Sequence, residues 1–476
     1  MYRNNVQQVY KLKDYRQRYK VLLLKEVWPF AWPIFIELLC VVLMSMVSTI
    51  LVSRLGANNT AAIGISDSMT YIVFSVLSAI ALGGSVLVAQ SYGRRQSENA
   101  GDQARQSINL NLLISLIFLV VIIIWSAPIL EVLALGAEED VLHLSETYLK
   151  TISFSYPAIA ITLAGCAVLR AVGNTKVSMQ VNIAANLLNV FYSYPLIYGF
   201  GAWEGWGLLG AGLGEVLARW SGVVITLFYL KKNITLAMPI RGYFRAFTRK
   251  TLFDILGIGV PSSVESLMFN VGKLITIMMV AGMGTISMAG SVIAFSIMLL
   301  INIPGNTLGM TSTILVAKRL GQGRPKSATQ ELKMIFWLAN GLLIGATLIL
   351  IPFVDQAISL YTTNPEVVDV VKTLLYMNFV MMPLWAASFV LPAAFKGAKD
   401  AKYTMWVAIF SMWGCRICCG YALGIMLDWG VYGIWIGMFC DWIIRGGIFY
   451  YRMQKNGWLK KYYATPANVE KLQEDM

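Results

Sequence analysis

Ionisable side chains stand inside long apolar stretches of this sequence, and their types decide what chemistry those stretches could perform. A charged group at the centre of a bilayer costs about 2.5–3.5 kcal/mol on insertion scales, so each one needs a partner or a function. Carboxylates in such places can bind and release a proton or another cation, whereas lysine and arginine can pair with them or hold an anion. The set comprises Glu37, Glu215, Arg219, Glu265, Lys273, Arg416, Asp441 and Arg445.

Two acid–base couples are spaced for pairing along one helix. Glu215 precedes Arg219 by four residues, and Asp441 precedes Arg445 by the same spacing. Side chains four residues apart are neighbours on a helix surface, so each couple can neutralise itself. We therefore interpret Arg219, Asp441 and Arg445 as members of structural ion pairs.

Glu265 and Lys273 lie eight residues apart, which is about two helical turns, on one face but too far apart to touch. They therefore face a hydrated cavity or pair with groups on other helices. Glu265 is the first candidate for ion coupling and Glu37 the second, with a structural link between helices as the alternative for both. The only histidine, His143, lies in an acidic loop outside the apolar stretches, so proton transfer would fall to carboxylates.

Lys273 and Arg416 indicate an anionic ligand, because a cavity built only for organic cations would gain nothing from them. A cation beside aromatic rings could hold a planar, aromatic anion by stacking and charge. For Arg416 a structural ion pair is an equally good interpretation.

The composition excludes an ordinary soluble protein: 57% of the residues are hydrophobic, 13% are charged, and the mean hydropathy is +0.64. A helix needs about 20 residues to cross a bilayer, and many apolar runs here reach that length. A β-barrel is excluded because the runs are continuous and do not alternate with polar residues. We predict an all-α integral membrane fold with twelve transmembrane helices, near residues 27–53, 66–90, 107–132, 147–170, 177–199, 207–230, 255–281, 287–317, 334–358, 371–395, 403–427 and 431–451.

The net charge is +13, but the placement of the basic residues matches a membrane topology and does not indicate a nucleic-acid partner. Lysine and arginine concentrate in both tails and in every second loop, so the positive-inside rule predicts that both termini are cytoplasmic. Attraction to anionic membrane lipid is a side effect. The basic segments between the tails are 94–105, 170–176, 231–250, 318–333 and 396–402.

The chain repeats itself at a nearly constant spacing. Pro33 and Glu37 recur in the second half as Pro261 and Glu265, and the separation between matched residues then shortens slightly toward the carboxyl end. A small drift in one direction is what short loop deletions leave in a duplicated protein. Further matches are Gly56 with Gly284, Arg170 with Lys396, Trp206-Gly207 with Trp429-Gly430, and Gly210 and Gly214 with Gly433 and Gly437.

Each copy contains an even number of predicted crossings, so the two copies are parallel repeats around a central cleft, as in transporters that work by alternating access. The predicted domains are a cytoplasmic basic amino-terminal tail (1–26), an amino-terminal six-helix lobe (27–231), a cytoplasmic inter-lobe loop (232–254), a carboxyl-terminal six-helix lobe (255–452) and a cytoplasmic carboxyl-terminal tail (453–476).

With these features, the chain resembles the multidrug and toxic compound extrusion (MATE) transporters over nearly its whole length. The motifs that carry the resemblance are Val47–Thr49 through Gly56, Leu169–Lys176 and Gly207–Gly214. The chain is most similar to the bacterial YeeO-type flavin exporter branch, through Ser263–Ser266, Phe395–Asp400 and Ser411–Arg416. The resemblance implies a V-shaped pair of lobes and export driven by inward proton or sodium movement. For the YeeO branch it implies flavin mononucleotide (FMN) and flavin adenine dinucleotide (FAD) among the substrates.

The sequence departs from the family pattern at the amino-lobe ion site. Many members have aspartates where Ser48 and Ser193 align here, the latter four residues after an asparagine that matches Asn189. Glu215 aligns with a threonine of that same site and could restore an acid to it. Other members carry a glutamate near the position of Phe269, about one turn beyond Glu265. The predicted ion-coupling residues are Glu265, Glu37 and Glu215, and the predicted substrate contacts are Lys273, Asn270, Arg416, Asn189, Ser48 and Ser193.

These observations predict a secondary active antiporter of the bacterial inner membrane, monomeric, that exports aromatic small molecules and needs no cofactor besides its coupling ion, H+ or Na+. The alternative is a lipid or lipid-linked-oligosaccharide flippase of the related superfamily, which Lys273 and Arg416 also fit. An integral-membrane enzyme is disfavoured, because the cytoplasmic loops lack the paired acids that would hold magnesium and phosphates.

Overall fold

The computed structural model describes residues 23–133, 138–201, 203–233 and 247–464. In these residues the secondary structure is helical, with turns and short irregular links between the helices and an isolated bridge between Phe200 and Trp203. Most of the predicted amino-terminal tail, half of the predicted carboxyl-terminal tail and part of the predicted inter-lobe loop lie outside the described residues. The α-helices are α1 (Trp28–Ser53), α2 (Ala57–Gly93), α3 (Ser97–Leu133), α4 (Glu139–Ser153), α5 (Tyr156–Ala171), α6 (Thr175–Tyr198), α7 (Gly207–Lys232), α8 (Arg249–Ala281), α9 (Thr285–Ile301), α10 (Ile303–Gly321), α11 (Pro325–Leu350), α12 (Val354–Ser359), α13 (Pro365–Gly397), α14 (Ala401–Phe410), α15 (Cys418–Tyr421), α16 (Gly430–Gln454) and α17 (Lys460–Tyr463).

Each predicted apolar run falls on a helix or on a pair of successive helices, which confirms the predicted all-α integral membrane fold. Among the described residues, 8 helices are long and apolar enough to cross a membrane, or 10 if each bent pair counts as one span. The other two predicted spans correspond to α6 and α16. These helices have 24 and 25 residues, which is enough length to cross a bilayer, but polar side chains and glycines lower their hydropathy.

Prolines explain the two bent pairs. Helices α4 and α5 meet at 47°, and α9 and α10 meet at 49°. Pro157 lies in the first turn of α5 and Pro304 in the first turn of α10. Proline has no backbone N–H and disfavours a helical conformation at the residue before it, so a new helix starts there instead of the old one continuing.

The chain divides into two compact units. The first unit comprises Glu37–Ile275 and Lys399–Met412, and the second comprises the described parts of Met1–Ile36, Thr276–Ala398 and Trp413–Met476. Both α1 and α8 are therefore divided between the units, and the predicted lobe bounds stay a prediction.

The backbone repeats where the sequence does. Gly56 and Gly284 precede α2 and α9 with φ of 101° in both and ψ of 168° and 169°. Gly207 and Gly430, which begin α7 and α16, also share a positive φ, of 54° and 58°. Only glycine adopts such backbone angles readily, so the matched glycines mark matched turns.

Close helix contacts recur at the glycines of α7 and α16. A Cβ atom on Gly210 would lie 2.0 Å from the carbonyl oxygen of Leu196 in α6. A Cβ atom on Gly437 would lie 2.5 Å from the backbone nitrogen of Gly420 in α15. Small residues at such positions let membrane helices approach each other closely, where packing rather than the hydrophobic effect holds them together.

Replacing Gly437 by alanine should therefore destabilise the protein by about 1–3 kcal/mol, because the added methyl group meets backbone atoms that cannot rotate away. Thermal unfolding in detergent measures the loss. Gly447→Ala is the matched control in the same helix, since a Cβ atom there meets nothing within 4 Å. That control should be neutral or stabilising by up to about 1 kcal/mol, because alanine favours a helix more than glycine does. Equal unfolding temperatures for the two variants would contradict the close contact.

Candidate functional site

Glu37 is the centre of a buried polar cluster in the first unit. Arg170 Nη1 donates to its Oε1 at 2.9 Å, and the Nδ2 atom of Asn182 donates to the same oxygen at 2.9 Å. The hydroxyl of Ser178 donates to Oε2 at 3.2 Å and accepts from Arg170 at 2.7 Å. Both charged side chains are only 10% exposed. Both carboxylate oxygens thus have donors and the charge has its counter-ion, which favours the structural interpretation of Glu37.

Glu265 has a different environment on α8. The hydroxyl of Thr404 in α14 donates to its Oε2 at 3.1 Å, and the residue is half-buried. Glu265 is thus a carboxylate inside a candidate span with partial access to its surroundings, and a group that binds and releases a cation needs both features.

The two glutamates occupy equivalent places in the repeat. Glu265 matches Glu37, and Thr404 matches Ser178 at the same separation that relates Lys396 to Arg170. Each glutamate accepts a hydrogen bond from the matching hydroxyl. Position 408, which matches Asn182 at that separation, is alanine and cannot donate. The two copies thus share the hydroxyl contact and differ at the position of the amide.

Two predicted substrate contacts lie farther along α8. Asn270 is half-buried and Lys273 is exposed. Gly272, next to Lys273, lies so close to Met412 that a Cβ atom would be 2.7 Å from its terminal methyl carbon. The close packing on that side holds the helix in place, while Lys273 itself has access to its surroundings. Its role in substrate binding stays a prediction.

Glu215 belongs to a second polar cluster, which joins α1, α6 and α7. Its Oε1 accepts from Arg219 at 2.6 Å, and its Oε2 accepts from the amide of Asn189. The hydroxyl of Ser48 reaches the amide oxygen of Asn189 at 3.5 Å. The predicted pair of Glu215 with Arg219 therefore forms, but the side chains are 21% and 34% exposed. Ion pairs this exposed contribute only about 0–1 kcal/mol.

Two further residues, Ser193 and Asp67, bear on this cluster. Ser193, predicted as a substrate contact with Ser48 and Asn189, is buried against Gly214, where a Cβ atom would lie 2.3 Å from its hydroxyl oxygen. Asp67 of α2 was not among the predicted site residues. A negative charge on Asp67 is opposed by the negative charge of Glu215. A cation bound at either carboxylate would relieve that repulsion.

The second unit contains its own buried charges. Arg445 Nη2 lies 3.4 Å from Asp441 Oδ2, and these side chains are 4% and 0% exposed. The guanidinium of Arg445 also stacks on Phe389, with 4.4 Å from Cζ to the ring centroid. Arg416 is equally buried and is attracted by Asp441. This position favours the structural interpretation of Arg416 over the substrate contact.

Several contacting residues were missed at the sequence level: Asp67, Arg170, Ser178, Asn182 and Thr404. One signal was available, because Arg170 matches Lys396 in the repeat and both follow an apolar run. Applying the same separation to Ser178 leads to Thr404, but the repeat alone does not show that either hydroxyl contacts a glutamate. Neutral side chains inside a span attract no notice when only charges are searched.

Both halves of the chain match one protein family. The MatE family model matches residues 33–195 and again residues 261–422. The two matches begin at Pro33 and at Pro261, which are the repeated prolines of the internal duplication.

Similar proteins cover most of the chain. The uncharacterized transporter YisQ of Bacillus subtilis is 28% identical over 432 residues, which is 90% of this chain and 94% of that protein. The multidrug resistance protein PmpM of Pseudomonas aeruginosa is 27% identical over 425 residues, 87% of this chain and 88% of that protein.

Solved structures agree in fold. An outward-facing multidrug resistance MATE family transporter of the MOP superfamily superposes with a TM-score of 0.82 at 20% identity, covering 91% of this chain and 96% of that one. A MOP superfamily transporter from Pyrococcus furiosus also reaches 0.82, at 19% identity, over 92% and 96% of the two chains.

Proposed function

The chain belongs to the MatE family, and on this premise we propose that it is a secondary active exporter. It moves aromatic small molecules out of the cytoplasm in exchange for H+ or Na+. The observation that carries the coupling part of the proposal is that two half-buried carboxylates, Glu215 and Glu265, lie inside apolar membrane helices. The name of one relative, a multidrug resistance protein, supports drug-like substrates.

Glu265 is the residue to which we assign the coupling ion. A charged carboxylate in a span is unstable away from water, and a bound proton or sodium ion removes that penalty. Ion binding therefore favours the conformation that shields Glu265, while the empty carboxylate favours the conformation that hydrates it. Thr404 holds the side chain in one orientation and adds an oxygen that a sodium ion could share. A substrate that binds better to the ion-free conformation is released when the ion binds, so the two are exchanged.

Glu215 is the second place for a cation. Its pair with Arg219 is partly exposed, and Asp67 adds a nearby negative charge. A proton or sodium ion bound there would weaken the attraction of Glu215 for Arg219. A cationic substrate that pairs with Glu215 would compete with that ion for the same carboxylate, so that binding of one lowers the affinity for the other, as exchange requires.

Flavin nucleotides such as FMN and FAD fit the charges that the site offers. They combine a planar aromatic ring with phosphate, and the exposed ammonium of Lys273 supplies the opposite charge. The resemblance to the YeeO-type branch supports the same class. Drugs that are organic cations would use the carboxylates instead.

Lys273→Ala should lower FMN transport by roughly tenfold, since a hydrogen bond to a charged group contributes about 1.5–3 kcal/mol and 1.4 kcal/mol is a factor of ten. Uptake of FMN and of a cationic dye into proteoliposomes, under imposed proton and sodium gradients, measures both substrates in one preparation. The dye should change little, because it gains nothing from an ammonium group. Lys273→Arg is the matched control and should retain FMN transport. Equal losses for both substrates would make Lys273 a structural residue.

A lipid or lipid-linked-oligosaccharide flippase has less support. The flippase alternative requires that cations such as Arg416 face a cavity, but Arg416 is buried and is attracted by Asp441. We also propose a monomer in the bacterial inner membrane. From the alternation of basic and non-basic loops, we infer that both termini are cytoplasmic.

A further inference from the structure

An apolar groove of about 650 Å³ lies in the first unit between α3, α5 and α7, over the break that separates α4 from α5. The bend at Pro157 turns α4 away from the line of α5 and opens the space. The groove is lined by Leu112, Leu116, Leu119, Thr151, Phe154, Pro157, Leu213, Val216 and Trp220.

The polar atoms in the groove wall already have partners within the protein. The hydroxyl of Thr151 donates to the carbonyl oxygen of Thr147 at 2.8 Å. The indole N–H of Trp220 donates to the carbonyl oxygen of Phe154 at 3.2 Å, which satisfies a backbone acceptor at the helix break. The wall thus has no side-chain donor left for a ligand, so an occupant must be apolar at this depth.

The groove borders exposed apolar side chains of the first unit. Leu116, on its wall, is 42% exposed, and the next residue, Ile117, is 57% exposed outside it. Both belong to α3, whose sequence is among the most apolar of the candidate spans. The lining residues of α3 and α7 lie near the middle of these helices, which places the groove within the hydrocarbon layer.

We propose that this groove is a binding site for one acyl chain of a membrane phospholipid. A straight helix surface offers lipid only transient contacts, whereas a groove of this volume surrounds a chain on three sides and adds many van der Waals contacts. The acyl chain packs against Phe154 and Trp220 at the break between α4 and α5 and fills the space that the bend opened. The site is independent of the proposed ion coupling.

The test uses the full-length protein in nanodiscs that contain phosphatidylcholine with a photoreactive diazirine in its acyl chain. After irradiation, proteolysis and mass spectrometry locate the labelled residues. We expect label on the groove residues in excess of the exposed positions beside them. Leu116→Trp, which fills the groove, should lower groove labelling by roughly fivefold, the scale on which a handful of lost van der Waals contacts acts.

Ile117→Trp is the matched control, because it adds the same ring on the same helix outside the groove and should leave groove labelling unchanged. Labelling is compared only between variants whose unfolding temperatures equal that of the wild type. If Leu116→Trp is less stable, Val216→Phe serves as the second variant that fills the groove. Label spread evenly over the exposed apolar residues, or groove label that survives both filling variants, would overturn the proposal. Loss of groove labelling when a transported dye is present during irradiation would also overturn it, since the groove would then hold substrate instead of lipid.

Discussion

Replacing Glu265 by glutamine should reduce gradient-driven export to the level seen without a gradient, a loss of roughly 5–150-fold if coupling is worth the usual 1–3 kcal/mol or so. Glutamine keeps the size and the hydrogen-bonding capacity toward Thr404 but cannot bind a proton or carry a charge. The measurement is substrate accumulation in proteoliposomes with and without an imposed proton or sodium gradient.

Three companion measurements make the result specific. Thr404→Val replaces the hydroxyl by a methyl group of similar size and should weaken coupling less than the loss of the carboxylate does. Glu366→Gln alters an exposed glutamate at the start of α13 and should leave export unchanged. An unchanged unfolding temperature for Glu265→Gln separates lost coupling from lost folding. Wild-type accumulation by Glu265→Gln would remove this residue from the coupling role.

The repeat partner of Glu265 should behave differently when changed. Glu37→Gln leaves the guanidinium of Arg170 buried without its counter-ion, and breaking one side of a buried pair costs about 3–5 kcal/mol. Arg170→Ala should cost a similar amount for the reciprocal reason. Thermal unfolding in detergent, or the yield of folded protein, measures the loss.

Two comparisons check this assignment of Glu37. Replacing both partners by methionine should recover most of the stability, because an apolar pair of similar volume often substitutes for a buried ion pair at little cost. Glu215→Gln should cost far less, about 0–1 kcal/mol, since its pair with Arg219 is partly exposed. If Glu37→Gln were as stable as the wild type yet failed to couple transport, Glu37 would be the coupling residue instead.

Much of the fold could be read from periodicity and repetition. Among the described residues, the apolar runs located all 10 candidate spans, counting each bent pair as one, because a bilayer imposes a minimum length that sequence alone reveals. The spacing of the repeat predicted that Gly56 and Gly284 are equivalent, and their backbone angles are nearly the same. Bends were harder to place: Pro157 and Pro304 begin new helices, while Pro33 lies inside α1, which continues through it. Which proline interrupts a span depends on how its neighbours satisfy the freed carbonyl groups.

The candidate site could be predicted only in part. The spacing of Glu215 and Arg219, and of Asp441 and Arg445, predicted contacts within one helix, and these pairs form. Contacts between helices were not predictable from spacing, so the partner of Glu37 was missed although Arg170 was visible in the repeat. The burial of Arg416 depends on tertiary packing, which no local pattern encodes.

The most direct test of the central claim reverses the direction of coupling. Liposomes with the purified protein receive a steep gradient of FMN or a cationic dye and no ion gradient, and internal pH and sodium are followed with separate indicators. Because coupling is reciprocal, ion-coupled antiport predicts that substrate moving in one direction drives protons or sodium the other way, and that Glu265→Gln abolishes this ion flux. Substrate movement with no flux of either ion, in a protein that still transports, would contradict ion-coupled exchange.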